Sequence, residues 1–165
     1  FQAVPKGDRM ETVIEKAVEL GVYEIIPVEM KYCVVKLDAK KKAARLKRYQ
    51  AIAESAAKQS KRSRIPVVHD FMTYRDAMAY AKECDLCLVP YECAKGMAAT
   101  KDALTKIRDA KTISIMIGPE GGFAQEEIDA VKACMQVVSL GSRILRTDTA
   151  AITTMSMVML ATEMQ

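Results

Sequence analysis

Segments with strand character alternate with segments of helical character along all 165 residues. That alternation restricts the chain to a small set of folds. Strands separated by helices build βαβ units, whose strands run parallel and whose helices cover both faces of the sheet. Phe1–Val4 reads as a short strand. Asp8, with Glu11 three residues on, has the pattern of a capping box, and Met10, Val13, Ile14, Ala17 and Val18 follow the spacing of one helical face. Gly21 stands where a left-handed C-cap is expected. Glu24–Val28 reads as a strand, and Lys40–Ser60 as a helix. Pro66 bars its continuation, and Val67-Val68 opens the next strand. Thr73 and Asp76 start a helix to Glu83. Then come Leu86–Val89 (strand), Thr100–Asp109 (helix), Thr112–Ile117 (apolar strand), Gln125–Cys134 (helix), Gln136–Leu140 (strand) and Asp148–Met164 (a long apolar helix). The expected class is therefore α/β, a mostly parallel sheet with helices on both faces, in a single domain over residues 1–165.

Composition supports this class and excludes others. Half of the residues are hydrophobic, enough to bury a core. No apolar run reaches the roughly 20 residues of a membrane helix, and the start has no basic segment leading into an apolar one. No membrane partner is expected. Without an initiator Met, the chain reads as a segment of something longer. The five cysteines (Cys33, Cys84, Cys87, Cys93 and Cys134) are odd in number and irregular in spacing. That argues against a disulfide framework and for a reducing, cytoplasmic setting. Cys84 and Cys87 have CxxC spacing, with only Cys93 and His69 nearby to complete four zinc ligands. Small thiols packed inside a strand are the plainer reading, and no metal is expected.

Charge is unevenly distributed. Lys36–Arg64 holds 11 basic and 2 acidic residues, while the whole chain has a net charge of only +4. The remainder is therefore acidic overall. A localised positive field suits a polyanion such as RNA.

In parallel α/β sheets, ligands sit beyond the C-terminal ends of the strands. Three loops occupy that position: Pro90–Ala99, Gly118–Ala124 and Gly141–Thr147. In Ile117-Gly118-Pro119-Glu120-Gly121-Gly122-Phe123 an apolar strand ends at glycine, and two more glycines precede a helix. Such a loop lets a ligand approach the backbone, or it is simply a tight connection. It is neither GxGxxG nor a P-loop. In Leu140–Ala150, Arg143 and Arg146 flank Ile144 and Leu145. That apolar pair must either join the core or cover a flat ring such as adenine. Thr147 and Asp148 are both able to cap the helix that follows.

Together these loops resemble the signature of the RsmE family of RNA methyltransferases, in the SPOUT superfamily: a GPEGG loop, an acidic helix start (Glu126-Glu127), and the segment Leu140–Ala150. Lys6-Gly7-Asp8-Arg9-Met10-Glu11, Lys16–Val22 and Gln59-Ser60-Lys61-Arg62-Ser63-Arg64-Ile65-Pro66 resemble further parts of the same catalytic domain. The likeness thus spans nearly the whole chain in order. Asp148 stands where Glu is more usual, Lys61 where Gly is common, and Ala124 where Ser or Thr is common.

The resemblance implies a SPOUT fold with a C-terminal deep trefoil knot, a homodimer with its active site at the interface, and S-adenosylmethionine as cofactor. It implies methylation of N3 of a uridine in the 16S ribosomal RNA of the small ribosomal subunit. Carried over residue by residue, Val89, Pro90, Ile117, Gly118, Gly121, Gly122, Leu140, Gly141, Ile144 and Leu145 would surround the cofactor. Arg146 would stabilise negative charge developing on the uracil. Glu120 and Asp148 are candidate bases, or respectively a loop anchor and a helix cap. Gln59, Ser60, Arg62 and Arg64 are expected to contact RNA. The long helix Asp148–Met164 could supply the dimer interface, the core, or both. Full-length members of the family carry an N-terminal PUA-like RNA-binding domain outside this chain. Competing expectations are ribose 2′-O-methylation by another SPOUT enzyme and a non-catalytic RNA-binding module.

Overall fold

All strand pairings in the computed structural model, which describes residues 1–164, are parallel. Strand β6 (Leu86–Pro90) lies between β7 (Ile113–Ile115) and β8 (Gln136–Val138). Strand β3 (Pro27–Glu29) lies between β1 (Gln2–Ala3) and β5 (Met72–Thr73), and β2 (Glu24–Ile25) pairs with β4 (Val67–Val68). The ladders join where the Ala3 amide donates to the Ile117 carbonyl at 2.9 Å and the Ile117 amide donates to the Phe1 carbonyl at 2.9 Å. The sheet therefore runs β8-β6-β7-β1-β3-β5, with β2 and β4 extending its last two strands. Glu24–Val28, expected as one strand, is divided at Ile26, whose carbonyl accepts the Gln2 amide at 2.9 Å. The segment changes partner there, from β4 to β5.

Helices cover both faces, as the alternation predicts. The apolar faces of α3 (Tyr74–Ala81) and α5 (Gln125–Lys132) pack with Ala3, Val28, Val89 and Met116 in one core. On the other face, α1 (Arg9–Glu19) packs against α2 (Ala39–Gln59) around Met10, Ile14, Tyr49 and Ala53. Also on that face, Ala103 and Ile107 of α4 (Ala98–Ile107) and Met157 and Val158 of α6 (Thr147–Glu163) pack against Leu86, Leu88 and Val138. Leu88 and Val89 thus enter opposite cores, which is why β6 reads as a continuous apolar run.

Helix starts follow the expected chemistry only in part. The Asp38 carboxylate caps α2 by accepting the Lys41 amide at 2.8 Å, and the Thr73 hydroxyl caps α3 by accepting the Asp76 amide at 3.2 Å. Asp8 makes no side-chain cap bond, and Glu11 pairs instead with Arg48 at 2.7 Å. At α6 the N-cap residue is Arg146, which also lacks a side-chain cap bond. Among the described residues no helix is long and apolar enough to cross a membrane. All five cysteines are free thiols. Cys87 is buried and donates to the Ala81 carbonyl at 2.8 Å.

Candidate functional site

The loops that follow β6, β7 and β8 enclose one cavity of about 530 Å³, within the ~300–1,000 Å³ of small-molecule sites. Pro90, Ile117, Gly118, Gly121, Gly122, Leu140, Gly141, Ile144 and Leu145 all line it, as do Glu120 and Arg146. Val89 is fully buried one residue before the wall, so that side is formed by Pro90, Tyr91 and Glu92. Asp148 does not reach the wall. Its Oδ1 is buried without a hydrogen-bond partner among the described residues.

The glycines of the first loop are closely approached by their neighbours. A Cβ on Gly118 would lie 2.8 Å from the Phe123 ring, and one on Gly121 3.0 Å from the Tyr32 Cβ. Gly122 combines a φ of +73° with a Cβ position 2.8 Å from Glu92 Oε1. The turn closes through the Gly122 amide on the Pro119 carbonyl at 2.9 Å. Beyond it, buried Glu127 accepts the Ala124 amide at 2.8 Å and the Lys31 amide at 2.9 Å. This is the returning half of a capping box, which works although Ala124 has no side-chain acceptor of its own.

The second loop is tied to the first from beneath. Thr147 donates its hydroxyl to the Gly118 carbonyl at 2.8 Å and accepts the Gln2 side-chain amide at 2.9 Å. Its start is fastened to α4 by Thr100 and Ser139, which exchange hydrogen bonds of 2.8 and 3.0 Å. Of the apolar pair, Leu145 is half-buried and Ile144 is 86% exposed. Ile144 therefore does not join the core.

Charge gathers at one part of the wall. Glu120 Oε1 accepts the Lys6 amide at 2.9 Å and the Arg9 guanidinium at 2.8 Å. Partial burial would raise the Glu120 pKa, but hydrogen bonds from the Lys6 amide, its own amide and Arg9 outweigh this and hold the carboxyl below its ordinary value. Arg143 and Arg146 line the same cavity and form no ion pair among the described residues. Sequence reasoning missed Arg9, Tyr91, Glu92, Phe123 and Thr147 as wall residues. Arg9 stood within a segment matched to the family, but nothing in its spacing pointed to the cavity.

Gln59, Ser60, Arg62 and Arg64 gather elsewhere. Arg62 donates to the carbonyls of Val18 at 3.0 Å, Val22 at 2.8 Å and Gly21 at 3.4 Å, closing the C-terminal end of α1. Ser60 donates to the Ala56 carbonyl at 2.7 Å. Arg64 stacks 3.7 Å above the exposed Tyr23 ring. Arg9 stands at the other end of the 11-residue α1, about 16 Å away at the helical rise. The chain does not bring these four residues to the cavity. In the basic segment, Lys41, Lys42, Arg48 and Lys58 are paired with Asp38, Glu29, Glu11 and Glu54. Lys40, Lys47, Lys61 and Arg64 are exposed and lack such a partner among the described residues.

Parallel strands, helices on both faces and a cavity built from the loops after three neighbouring strands are the arrangement of a ligand-binding α/β domain. A SpoU methyltransferase from Streptomyces viridochromogenes shares the fold at a TM-score of 0.56 and 14% identity, over 95% of this chain and 56% of its own. The profile of the RNA methyltransferase domain matches residues 1–159, and the chain belongs to that family. It is 34% identical over 98% of its length to ribosomal RNA small subunit methyltransferase E of Bacillus subtilis, and spans 64% of that relative. The structure of the enzyme of the same name from Neisseria gonorrhoeae, bound to S-adenosylmethionine, superposes at a TM-score of 0.79 with 35% identity. That match covers 94% of this chain and 62% of the other. The chain thus spans just under two thirds of these relatives.

Proposed function

We propose that this chain is the catalytic domain of an S-adenosylmethionine-dependent enzyme that methylates N3 of a uridine in 16S ribosomal RNA. The observation that carries the proposal is the meeting of the three expected loops around one cavity of about 530 Å³. Its walls suit the cofactor. Pro90, Leu140 and Leu145 offer apolar surface for a flat ring, glycines bare backbone, and Arg9, Glu120, Arg143 and Arg146 add charge to the wall. When bound, the cofactor supplies an electrophilic methyl group.

The chain's own residues then have separable tasks. Ile117, Gly118, Gly121, Gly122, Gly141 and Ile144 complete the cofactor walls, with Val89 supporting Pro90 from the core. Arg146, exposed and unpaired at the rim, stabilises negative charge on the uracil as its N3 proton leaves. Glu120 is a weak choice of base, because its bonds to Lys6 and Arg9 favour the carboxylate over the acid. Asp148 does not reach the wall. Loss of the proton to solvent is the simplest route. The knot implied by the family likeness belongs to the same proposal, and the Thr147–Gly118 bond joins two of the loops it would involve.

A homodimer is part of this reading. Helix α6 is apolar and only partly covered, with Leu160 52% exposed and Met164, just past its end, 74%. In this reading Gln59, Ser60 and Arg64 of one protomer contact RNA bound at the cavity of the other, with Arg62 bracing them. The small ribosomal subunit, and hence the cytoplasm, is the proposed place of action.

The test is transfer of a labelled methyl group to small ribosomal subunits, followed by digestion to nucleosides. The proposal expects N3-methyluridine, formed slowly by this chain alone. Label recovered as a 2′-O-methylnucleoside would assign a different SPOUT activity. Salt-sensitive RNA binding without cofactor binding would make the chain an RNA-binding module.

A further inference from the structure

We infer that Arg9 recognises the carboxylate of the methionine portion of S-adenosylmethionine, and that Glu120 is the positioning residue that holds Arg9 for this task. The inference rests on the cofactor reading above and adds an orientation to it.

The cavity wall is of two kinds. Leu140, Leu145 and Pro90 are apolar, while Arg9 and Glu120 are charged and paired with each other. A ligand made of a flat base and an amino acid calls for both kinds of surface. Three arginines line the wall, but they are held differently. Arg143 and Arg146 make no side-chain hydrogen bond among the described residues, so their long side chains are free to follow a large substrate. Arg9 is fixed. Its Nη1 donates to Glu120 Oε1 at 2.8 Å, and the same oxygen takes the Lys6 amide at 2.9 Å. Glu120 is thereby fastened to both the start of α1 and the GPEGG loop.

That single bond uses one of the five N–H donors of the guanidinium. The rest have no acceptor among the described residues, and the Arg9 side chain remains 32% exposed. A cation tethered at one nitrogen with its other donors free can take a carboxylate with less further loss of side-chain freedom than an unpaired one. The depressed pKa of Glu120 agrees with this arrangement, since an ionised carboxylate is what orients a guanidinium.

Two ligands test this assignment without any turnover. S-adenosylhomocysteine and 5′-methylthioadenosine share the adenosine and the thioether, and only the first carries the amino acid. Calorimetric titration of the wild-type chain should show the first binding more tightly. Arg9→Ala should weaken S-adenosylhomocysteine roughly ten- to a hundredfold, the range of a charge-assisted hydrogen bond. 5′-Methylthioadenosine should stay within about threefold, and its binding also shows that the variant is folded. Glu120→Gln should lower the first affinity by a smaller factor and leave the second unchanged.

Equal loss of both ligands in Arg9→Ala would make Arg9 a support of the wall and overturn the inference. So would unchanged binding of both, or a wild-type chain that does not distinguish them. A folded wild-type chain that binds neither would remove the cofactor reading itself, and this inference with it.

Discussion

The hydroxyl of Thr147 donates to the carbonyl of Gly118 at 2.8 Å. This one bond joins the first residue of α6 to the loop after β7 across 29 positions of sequence. The same oxygen takes the Gln2 side-chain amide at 2.9 Å, so β1 shares in the junction. Thr147 is 6% exposed and Gln2 3%, which leaves little water to replace a lost partner. Thr147→Val keeps the shape and removes the donor. It should destabilise the fold by about 1–3 kcal/mol and weaken cofactor binding, while Thr147→Ser should recover most of both. Urea unfolding of the two variants checks this.

Two glycines on the cavity wall should respond differently to alanine. At Gly122 the added Cβ meets Glu92 Oε1 at 2.8 Å and the φ is +73°; at Gly141 the φ is +106° and the space is open. Gly141→Ala should therefore cost only backbone strain, about 1–3 kcal/mol. Gly122→Ala should cost a similar strain and, by pushing the end of Glu92 aside on the cavity wall, should also disturb the ligand. Thermal melting with and without S-adenosylmethionine separates the two effects.

Lys61 has a φ of +57°, the one left-handed non-glycine backbone among the described residues. It follows the C-cap of α2, and its neighbour Arg62 donates its backbone amide to the Ala57 carbonyl at 2.9 Å, as in a glycine-terminated helix. Lys61→Gly should stabilise the chain by about 1 kcal/mol, a rise in Tm of roughly 2–4 °C for a domain of this size.

Arg62 and Arg64 should prove separable. Arg62→Ala leaves the three carbonyls at the end of α1 without their donor, and should cost about 1.5–3 kcal/mol. Arg64→Ala removes an exposed stacking contact on Tyr23. It should leave Tm nearly unchanged while reducing RNA affinity and its salt dependence. Melting curves and filter binding at two salt concentrations test the pair.

The sheet and its helices were largely legible because both depend on periodicity. Met10, Val13, Ile14, Ala17 and Val18 are buried as their spacing required. What periodicity does not encode was missed. The break of β2 from β3 at Ile26 is set by partners distant in sequence, and β5 is only two residues long. Thr147 looked like a cap because a local bond was available to it, but tertiary partners claimed its hydroxyl. The three loops were found from their position at the strand ends and from the family likeness. Arg9 reaches the cavity only because β1 lies beside Ile117 and carries the start of α1 with it, a relationship absent from local sequence.

Acid should weaken the bonds that Glu120 makes at the cavity wall. Glu120 is held below its ordinary carboxylate value, with burial opposed and outweighed by hydrogen bonds from Lys6, its own amide and Arg9. A depressed pKa means that its contribution is fully present above about pH 4.5. That contribution is lost as the pH falls through the lower, folded-state value. Stability measured below pH 5 should therefore decline less steeply in Glu120→Gln than in the wild-type chain, and the two slopes should match near neutrality. Identical acid slopes would show that Glu120 does not titrate with unfolding.

The central claim is that the cavity between the three loops binds S-adenosylmethionine. Calorimetric titration of the wild-type chain beside Gly118→Arg and Leu145→Arg tests it most directly, since each variant places a long side chain in the space enclosed by the walls. One site per chain in the wild type, lost in both variants while they remain folded, is the result this account predicts. A folded wild-type chain with no affinity for the cofactor, or binding that survives in both variants, would contradict it.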